Sequence, residues 1–414
     1  MSLLKPFKAI RPRRDLVHLV ASRPIYTYKQ NVLSAKLEEN PYTFIHIINP
    51  EYFENEEDRT IPNSPERFEK VKAKFNEFTA NDILIEDNTE SLYVYRQSKN
   101  SKQYIGVIGG ASILEYNLNK IKKHEATLST REEVFTNYLE IVGFNAEPVL
   151  LAHKQNENIE LQLKSIVKFR PEYEFTTTDD TKHELWIVQG KQMNALLSAF
   201  CEIENLYIAD GHHRSASSAR YHQKIVESGQ EISDKSNHAF FLSYLISENQ
   251  LTILPFNRLV KTMNGLTKNE LIDLIKKSFR VEHLEAGIEP TEMHHIHMYL
   301  AGEWFRLILV KSLSNHDVIN SIDAELLTQL ILSPILGITD LKNDSNIEFN
   351  SSSDRIKSIE NAVDSGEFKI GFSLYPVSID QLKAVADANA IMPPKSTWIE
   401  PKLRSGLTIY KLQD

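Results

Sequence analysis

Apolar positions along the chain follow helical and extended spacings, and the clearest helix begins at residue 65. Ser64 supplies an N-cap and Pro65 occupies the first helical position, after which Phe68, Val71 and Phe75 recur at helical intervals. This combination predicts an amphipathic helix with one apolar face.

Apolar runs of strand length and of helix length alternate over most of the remaining chain. Two of them, 91–97 and 103–108, flank a short polar turn and predict a β-hairpin. The alternation as a whole is typical of an α/β (α+β) fold. Further predicted strands are 7–12, 43–48, 148–153, 185–188, 206–209, 240–247, 251–255, 293–300, 303–310, 368–375 and 407–411. Further predicted helices are 33–39, 113–123, 130–142, 191–200, one starting at 213, 269–279, 323–332, 353–364 and 379–388.

Changes in this pattern divide the chain into four predicted regions. At 414 residues a single core would be overextended, since cores stop growing near roughly 250 to 300 residues. We expect an N-terminal α/β region, a core, an α+β insert and a C-terminal segment. Their predicted bounds are 1–110, 111–238, 239–345 and 346–414.

Composition and charge exclude several classes of protein. The chain has 47 Lys plus Arg against 56 Asp plus Glu, a formal net charge of −9, which argues against nucleic acid as a partner. The longest uncharged apolar-rich stretch, 326–339, contains Pro334 and falls short of the roughly 20 residues of a membrane helix. The first 14 residues lack the apolar core of a secretion signal, so we expect a cytoplasmic protein without a membrane partner.

Cys201 is the one cysteine in the sequence, which excludes an intrachain disulfide and an all-cysteine zinc site. It follows an apolar stretch and has no catalytic motif around it. We therefore expect a buried structural thiol.

The segment from Leu206 to Ser215 is the strongest candidate for a functional site. An apolar strand ends in an acid, a glycine allows a sharp turn, and a helix then opens with an arginine and a hydroxyl in its first turn. Free backbone amides, the helix dipole and a guanidinium all favour a bound phosphate there. An ordinary strand-turn-helix with solvated histidines is the plainer interpretation. The candidate phosphate-binding residues are Asp210, Gly211, His212, His213, Arg214 and Ser215.

Two further segments have side chains suited to chemistry. His124 and Glu125 follow three lysines, and the carboxylate is a candidate general base, although a solvated helix end explains this stretch equally simply. After two prolines, Lys395, Ser396 and Thr397 offer one cation and two hydroxyls to a phosphate or a carboxylate. The same residues would also suit a plain connector.

Together these segments resemble the bacterial family DUF1015, described as serine-kinase-like, within the superfamily of ParB partition proteins, sulfiredoxins and free serine kinases. The resemblance implies a ParB/sulfiredoxin-like nucleotide-binding core, with the C-terminal segment completing the site. The sulfiredoxin cysteine position holds His212 here, and no DNA-binding module follows the core, so neither of those two activities is expected. The matching segments are 6–12, 93–97, 121–125, 209–214, 255–259, 392–397 and 401–406.

The resemblance to free serine kinases also implies roles for individual residues. Glu125 would be the general base, with His124 beside it, and the turn 210–215 would hold the nucleotide phosphates. Asp210 would help to place Mg²⁺, and 395–397 would bind the amino acid or the transferred phosphate.

The resulting hypothesis is a small-molecule kinase that transfers a phosphoryl group from ATP or ADP to free L-serine or a similar metabolite. Positioning and charge stabilisation are the main requirements of such a transfer, and these residue types supply both. A non-catalytic sensor of nucleotides or phosphometabolites and a phosphate-ester hydrolase are the alternatives.

Overall fold

The computed structural model describes residues 3–229, 233, 235–310, 318–350 and 354–413. The chain forms two compact units. The first comprises Met1–Lys123, Thr127–Leu251 and Pro401–Asp414, and the second comprises His124–Ala126 and Thr252–Glu400. The four-region division expected from the sequence stays a prediction.

The first unit contains the strands and helices of the N-terminal half together with the last strand of the chain. Its strands are β1 Leu4–Lys5, β2 Ile10–Pro12, β3 Leu84–Glu86, β4 Leu92–Lys99, β5 Lys102–Ser112, β6 Ile121–Lys122, β7 Phe144–Asn145, β8 Val149–His153, β9 Tyr173–Thr176, β10 Lys182–Val188, β11 Leu206–Asp210, β12 Phe240–Ser247 and β21 Tyr410–Lys411. Its helices are α1 Val17–Val20, α2 Gln30–Glu39, α3 Ile45–Ile48, α4 Pro65–Ala80, α5 Ile113–Asn117, α6 Ser129–Val142, α7 Glu157–Ile166, α8 Gly190–Phe200 and α9 His212–Glu227.

A nine-stranded mixed sheet organises the first unit. Its order is β6-β11-β8-β12-β5-β4-β10-β9, and β1 pairs with β5. The pairs β6–β11 and β8–β12 are parallel, whereas the predicted hairpin β4–β5 is antiparallel with Tyr93 opposite Ile108. Buried Val, Leu and Ile side chains of these strands form the core, against which α8 packs through Leu196 and Phe200. The sheet thereby fixes the end of β11 at which the candidate phosphate turn begins.

The strands of the second unit are β13 Thr252–Leu254, β14 Asn257–Val260, β15 Phe279–Leu284, β16 His295–Leu300, β17 Glu303–Leu309, β18 Ile347–Asn350, β19 Ile370–Ser373 and β20 Trp398–Glu400. Its helices are α10 Lys268–Ile275, α11 Asp323–Leu327, α12 Arg355–Asp364 and α13 Ile379–Asp387. The unit is built on a six-stranded sheet of order β15-β17-β16-β19-β14-β18, with the separate pair β13–β20. Helix α12 covers one face of the larger sheet through Ile359 and Val363, which pack with Leu259, Tyr299 and Phe368.

The α/β (α+β) fold class is confirmed by these mixed sheets and helices. The helix after Ser64 is also confirmed, since the Ser64 hydroxyl accepts a hydrogen bond from the Arg67 amide at its first turn. No helix of the described residues is both long enough and apolar enough to span a membrane.

Several predicted elements are wrong in type or extent. The segment 43–48 is helical at Ile45–Ile48 rather than extended, since a short, mostly buried apolar run is compatible with a core helix as well as with a strand. The predicted helix 113–123 ends at Asn117, and Ile121 and Lys122 join the sheet beside β11. The predicted helix 269–279 ends at Ile275, since Phe279 begins β15.

Two further expectations need correction, and one lies partly outside the described residues. The α-helix expected over 323–332 ends at Leu327 and continues as a π-helix to Leu332. Cys201 is exposed, not buried, because it directly follows the end of α8. The expected first residue of the helix 353–364, residue 353, is outside the described residues, and the helix begins at Arg355.

Candidate functional site

The turn between β11 and α9 joins a sheet strand to a helix N-terminus within two residues. The pairing of β11 with β8 shifts register between Ile208 and Asp210, a bulge that changes the direction of the side chain at the strand end. Helix α9 then starts at His212, directly after Gly211. The unpaired amides of its first turn therefore lie beside Asp210, as a phosphate-binding turn requires.

Gly211 adopts a backbone conformation that favours glycine, with φ +105° and ψ 30°. The side chain of Arg214 folds back across it, so that a Cβ atom added at Gly211 would lie 2.9 Å from Arg214 Nε and 3.0 Å from Nη2. The missing side chain at Gly211 thus leaves the space in which the guanidinium rests.

We expect Gly211→Ala to destabilise the protein by about 1 to 3 kcal/mol, the range for a non-glycine residue in a strained conformation. The substitution should also displace the Arg214 guanidinium. The free energy of unfolding, measured with chemical denaturant, checks the first effect.

Gly190→Ala is the matched control, because Gly190 also has positive φ (+56°) but no heavy atom of the described residues beyond its chain neighbours lies within 4 Å of an added Cβ. An equal loss of stability in the two variants would mean that contact with Arg214 plays no part.

Arg214 is held at the turn by contacts with three neighbours. Its Nη1 donates to the carbonyl oxygen of Pro148 at 2.7 Å and lies 3.8 Å from Glu147 Oε2, and its Nη2 lies 3.6 Å from Asp210 Oδ1. The one short bond is to a neutral carbonyl, whereas the carboxylate contacts are longer. The guanidinium is therefore oriented mainly by the Pro148 carbonyl, with two carboxylates at longer range.

Asp210 lies between two cations. Lys402 Nζ donates to its Oδ2 at 3.0 Å, and Arg214 approaches from the other side. Burial acts to raise the pKa of Asp210, but the charges of Lys402 and Arg214 and hydrogen bonds from Lys402 and the Gly211 amide outweigh it and lower the pKa. Asp210 is thus held as a carboxylate that fixes both cations.

Lys402 and Glu147 contact the turn, and the sequence interpretation assigned neither of them. Lys402 contacts Asp210 directly, whereas Ser405 Oγ donates to Glu147 at 2.7 Å, and Glu147 in turn approaches Arg214. Lys402 and Ser405 belong to the segment 401–406, one of those that carry the family resemblance. That membership was the signal from which a role for this segment could have been predicted. Separation by 192 residues hid the pairing of Lys402 with Asp210.

The other predicted residues of the turn occupy more enclosed positions. His212 is buried and His213 is half-buried, both in the first turn of α9. Ser215 is fully buried, and its hydroxyl donates to the carbonyl oxygen of His212 at 3.0 Å. In this arrangement Ser215 stabilises the first helical turn from within.

His124 and Glu125 belong to the second unit and differ sharply in exposure. His124 is 3% exposed, whereas Glu125 is exposed in a bend of the chain. The carbonyl oxygen of His124 accepts a hydrogen bond from the Met392 amide at 2.8 Å. His124 therefore anchors this short segment, and Glu125 presents a carboxylate to solvent.

Burial lowers the pKa of His124 from 6.5 to about 4, so the ring is neutral over the physiological range. In the unfolded chain the His124 ring binds a proton at higher pH than it does in the folded chain. Acid should therefore lower the free energy of unfolding. Relative to His124→Gln, we expect the wild-type free energy of unfolding to fall by about 3 kcal/mol as the pH drops from about 6.5 to about 4.

Chemical denaturation across this pH interval checks the expectation, with the exposed His18→Gln as the matched control. Parallel pH profiles for wild type and His124→Gln would contradict it.

The loop 393–397 lies in the same unit as His124. It directly follows Met392, whose amide donates to the His124 carbonyl oxygen. Lys395 is exposed with φ +55°, and its Nζ lies 5.4 Å from the centre of the Phe256 ring. Ser396 is buried and donates to the Pro393 carbonyl oxygen at 2.8 Å, and Thr397 is half-buried. Lys395 is thus the residue of this loop best placed to meet a ligand.

The structure therefore gathers the predicted residues into two groups. The turn 210–215 lies in the first unit with Lys402 and Glu147, and the segments 124–125 and 395–397 lie in the second. Within the described residues, no three His, Cys, Asp or Glu side chains cluster as a metal site would require. Asp210 is the carboxylate that accepts a hydrogen bond from the Gly211 amide at the start of the turn.

The chain matches one family of proteins and aligns with several solved structures. The family described as "Protein of unknown function (DUF1015)" matches residues 4–327. No curated protein sequence gave a match.

Three solved structures align with this chain, each at 13% sequence identity. A free serine kinase in complex with AMP aligns over 74% of this chain and 92% of its own, with a TM-score of 0.33. SbnI with a C-terminal truncation, from Staphylococcus aureus, aligns over 74% and 87%, with a TM-score of 0.39. A conserved hypothetical protein from Pyrococcus furiosus aligns over 76% and 97%, with a TM-score of 0.32.

Proposed function

The chain belongs to the DUF1015 family, and from this premise we propose that it is a small-molecule kinase that phosphorylates the hydroxyl group of free L-serine or a similar metabolite. The observation that carries the proposal is the turn at Asp210–Arg214. A helix N-terminus, a glycine that leaves space and an oriented arginine converge there, and both the helix N-terminus and the guanidinium favour a phosphate.

The turn binds the phosphates of the donor, ATP or ADP. Backbone amides of the first turn of α9 donate to phosphate oxygens, and Arg214 adds a charge-assisted contact. Charge that develops on the transferred group is stabilised by Arg214 and Lys402, which are already fixed by Asp210.

Glu125 is the general base. Its exposed carboxylate accepts the proton of the acceptor hydroxyl while the oxygen attacks the terminal phosphorus atom. The bond from that phosphorus to the bridging oxygen breaks, and the nucleotide leaves with one phosphate fewer. The neutral ring of His124 supports the backbone beside Glu125, and Lys395, with the hydroxyls of Ser396 and Thr397, binds the acceptor or the transferred phosphate.

Mg²⁺ fits this scheme as an ion that enters with the nucleotide. It is usually bound by one or two carboxylates together with substrate phosphates, and Asp210 supplies one carboxylate at the turn. When bound, it neutralises phosphate charge. Asp210 would hold the ion at the start of the turn.

The test is ³¹P NMR of the purified full chain with Mg²⁺ and either ATP or ADP, together with free serine, threonine and homoserine. A new phosphomonoester signal supports the kinase and identifies its donor. Free phosphate without phosphorylated acceptor would indicate a hydrolase instead. Nucleotide binding by calorimetry without any new phosphorus signal would indicate a non-catalytic sensor.

A further inference from the structure

Two arginines of the first unit lie opposite each other across a short backbone bridge. The amide of Ser22 donates to the Ser405 carbonyl oxygen at 3.2 Å, and the Ser405 amide donates to Ser22 at 2.8 Å, as an antiparallel pair. Continuing this pairing by one residue sets Arg23 against Arg404. Like charges directly opposite in an antiparallel pair are destabilising, so this arrangement needs a compensating partner.

A third cation, Lys36, interacts electrostatically with both arginines. Lys36 lies on α2 and is half-buried, and burial together with the charges of Arg404 and Arg23 lowers its pKa. The positive charges of Arg404 and Arg23 therefore act on Lys36 in addition to its burial. We call Arg23, Lys36 and Arg404 the basic cluster.

Asp179 is the carboxylate that faces the basic cluster. Arg404 Nη2 lies 3.2 Å from Asp179 Oδ1. Burial acts to raise the pKa of Asp179, but a hydrogen bond from Thr177 and the charges of Arg404 and Arg23 bring it down to about 2. One carboxylate thus faces three cations.

The positive charge of the basic cluster is otherwise uncompensated within the described part of the chain. There, neither Lys36 nor the Arg23 guanidinium has a carboxylate within ion-pair distance. The Arg23 guanidinium lies 4.6 Å from the centre of the Tyr28 ring, which orients it without cancelling its charge. Arg404 is only 6% exposed, and its Nε has no hydrogen-bond partner among the described residues. A buried guanidinium with an unmet donor is costly unless an acceptor arrives.

We propose that the basic cluster is a second anion subsite, which takes a phosphate or another doubly charged acidic group. Three cations against one carboxylate match a group of two negative charges. The subsite belongs to the same substrate site as the turn, because Arg404 lies between Lys402, which contacts Asp210, and Ser405, which contacts Glu147.

The inference rests on the proposed function in one respect, since it assigns a second acidic group to the substrates of that site. The group is either the terminal phosphate of the donor nucleotide or an acidic group carried by the acceptor. Both present the same chemistry to the basic cluster, and the experiment separates them.

The experiment is calorimetry of the full chain with AMP, with ADP, and with inorganic phosphate in the absence and presence of saturating AMP. The variants are Lys36→Gln and Arg23→Gln. The matched control is Lys29→Gln, which changes an exposed lysine beside the start of α2.

If the cluster binds the donor, both variants lose at least about tenfold in ADP affinity but keep their AMP affinity. If it binds the acceptor, nucleotide affinities persist and phosphate affinity at saturating AMP falls by at least about tenfold.

Unchanged affinity for ADP and for phosphate in both variants would overturn the proposal. A structural role is excluded by the thermal midpoint of the ligand-free protein, which should stay the same or rise when one of the opposed charges is removed. A lower midpoint in both variants, together with weaker binding, would also overturn the proposal.

Failure of the proposed function gives a different result. In that case wild type would bind no nucleotide, yet inorganic phosphate would still bind and would be lost in Lys36→Gln. Arg214→Ala, which alters the turn and not the basic cluster, would leave that phosphate affinity in place.

Discussion

Glu125→Gln is expected to lower the rate of phosphoryl transfer by roughly 10² to 10⁴-fold, the usual contribution of a general base, while nucleotide affinity is retained. Glutamine has nearly the same size and shape but cannot accept the hydroxyl proton. Because Glu125 is exposed, the substitution buries no new polar group. Single-turnover ³¹P NMR measures the rate, and calorimetry measures nucleotide affinity.

Glu133→Gln is the matched control, since Glu133 is an exposed carboxylate in the first turns of α6. It should leave both the rate and the affinity unchanged. Equal losses of rate and of nucleotide affinity in Glu125→Gln would instead identify Glu125 as a structural carboxylate.

Arg214→Ala is expected to weaken nucleotide binding by at least about tenfold, through loss of a charge-assisted contact to phosphate. It also removes the second cation beside Asp210, so that Lys402 alone faces the carboxylate. Calorimetry with ADP checks the affinity. Arg214→Lys should recover only part of it, because an ammonium group does not reproduce the planar fork of the guanidinium.

Arg220→Ala on the same helix is the control for Arg214→Ala. Arg220 is half-exposed and lies six residues further along α9, away from the turn amides. Its removal should leave nucleotide affinity unchanged. An unaltered affinity in Arg214→Ala would remove Arg214 from the phosphate site and with it the main support for the proposed function.

The strand-turn-helix at Asp210 was predictable because its determinants are neighbours in the chain. The apolar run 206–209 favours a strand, Gly211 permits the sharp reversal, and the residues after it tolerate a helix start. These preferences act over a few residues and hardly depend on the rest of the molecule. The same holds for the helix capped by Ser64.

The predictions that were wrong concern segments whose local sequence favours no single conformation. In these segments tertiary packing determines the conformation and the exposure. The residues 45–48 are apolar enough for a strand or a helix, and they form a short helix in which Ile45, His46 and Ile47 are buried. The segment 113–123 has helical periodicity, yet Ile121 forms a strand pair because the edge of β11 offers backbone partners. Cys201 follows an apolar helix, but its position just after the helix end exposes it.

The fold class, the family and the strand-turn-helix at Asp210 could be predicted from the sequence, because each depends on short-range pattern or on motifs that stay contiguous. The charges that surround this turn could not be predicted, since they come from distant segments of the chain. Lys402 reaches Asp210 across 192 residues, and Arg404 comes to face Arg23 through a bridge between opposite ends of the chain. Electrostatic interactions depend on distance in space and not along the chain, so these pairings become visible only after the sheet has brought their segments together.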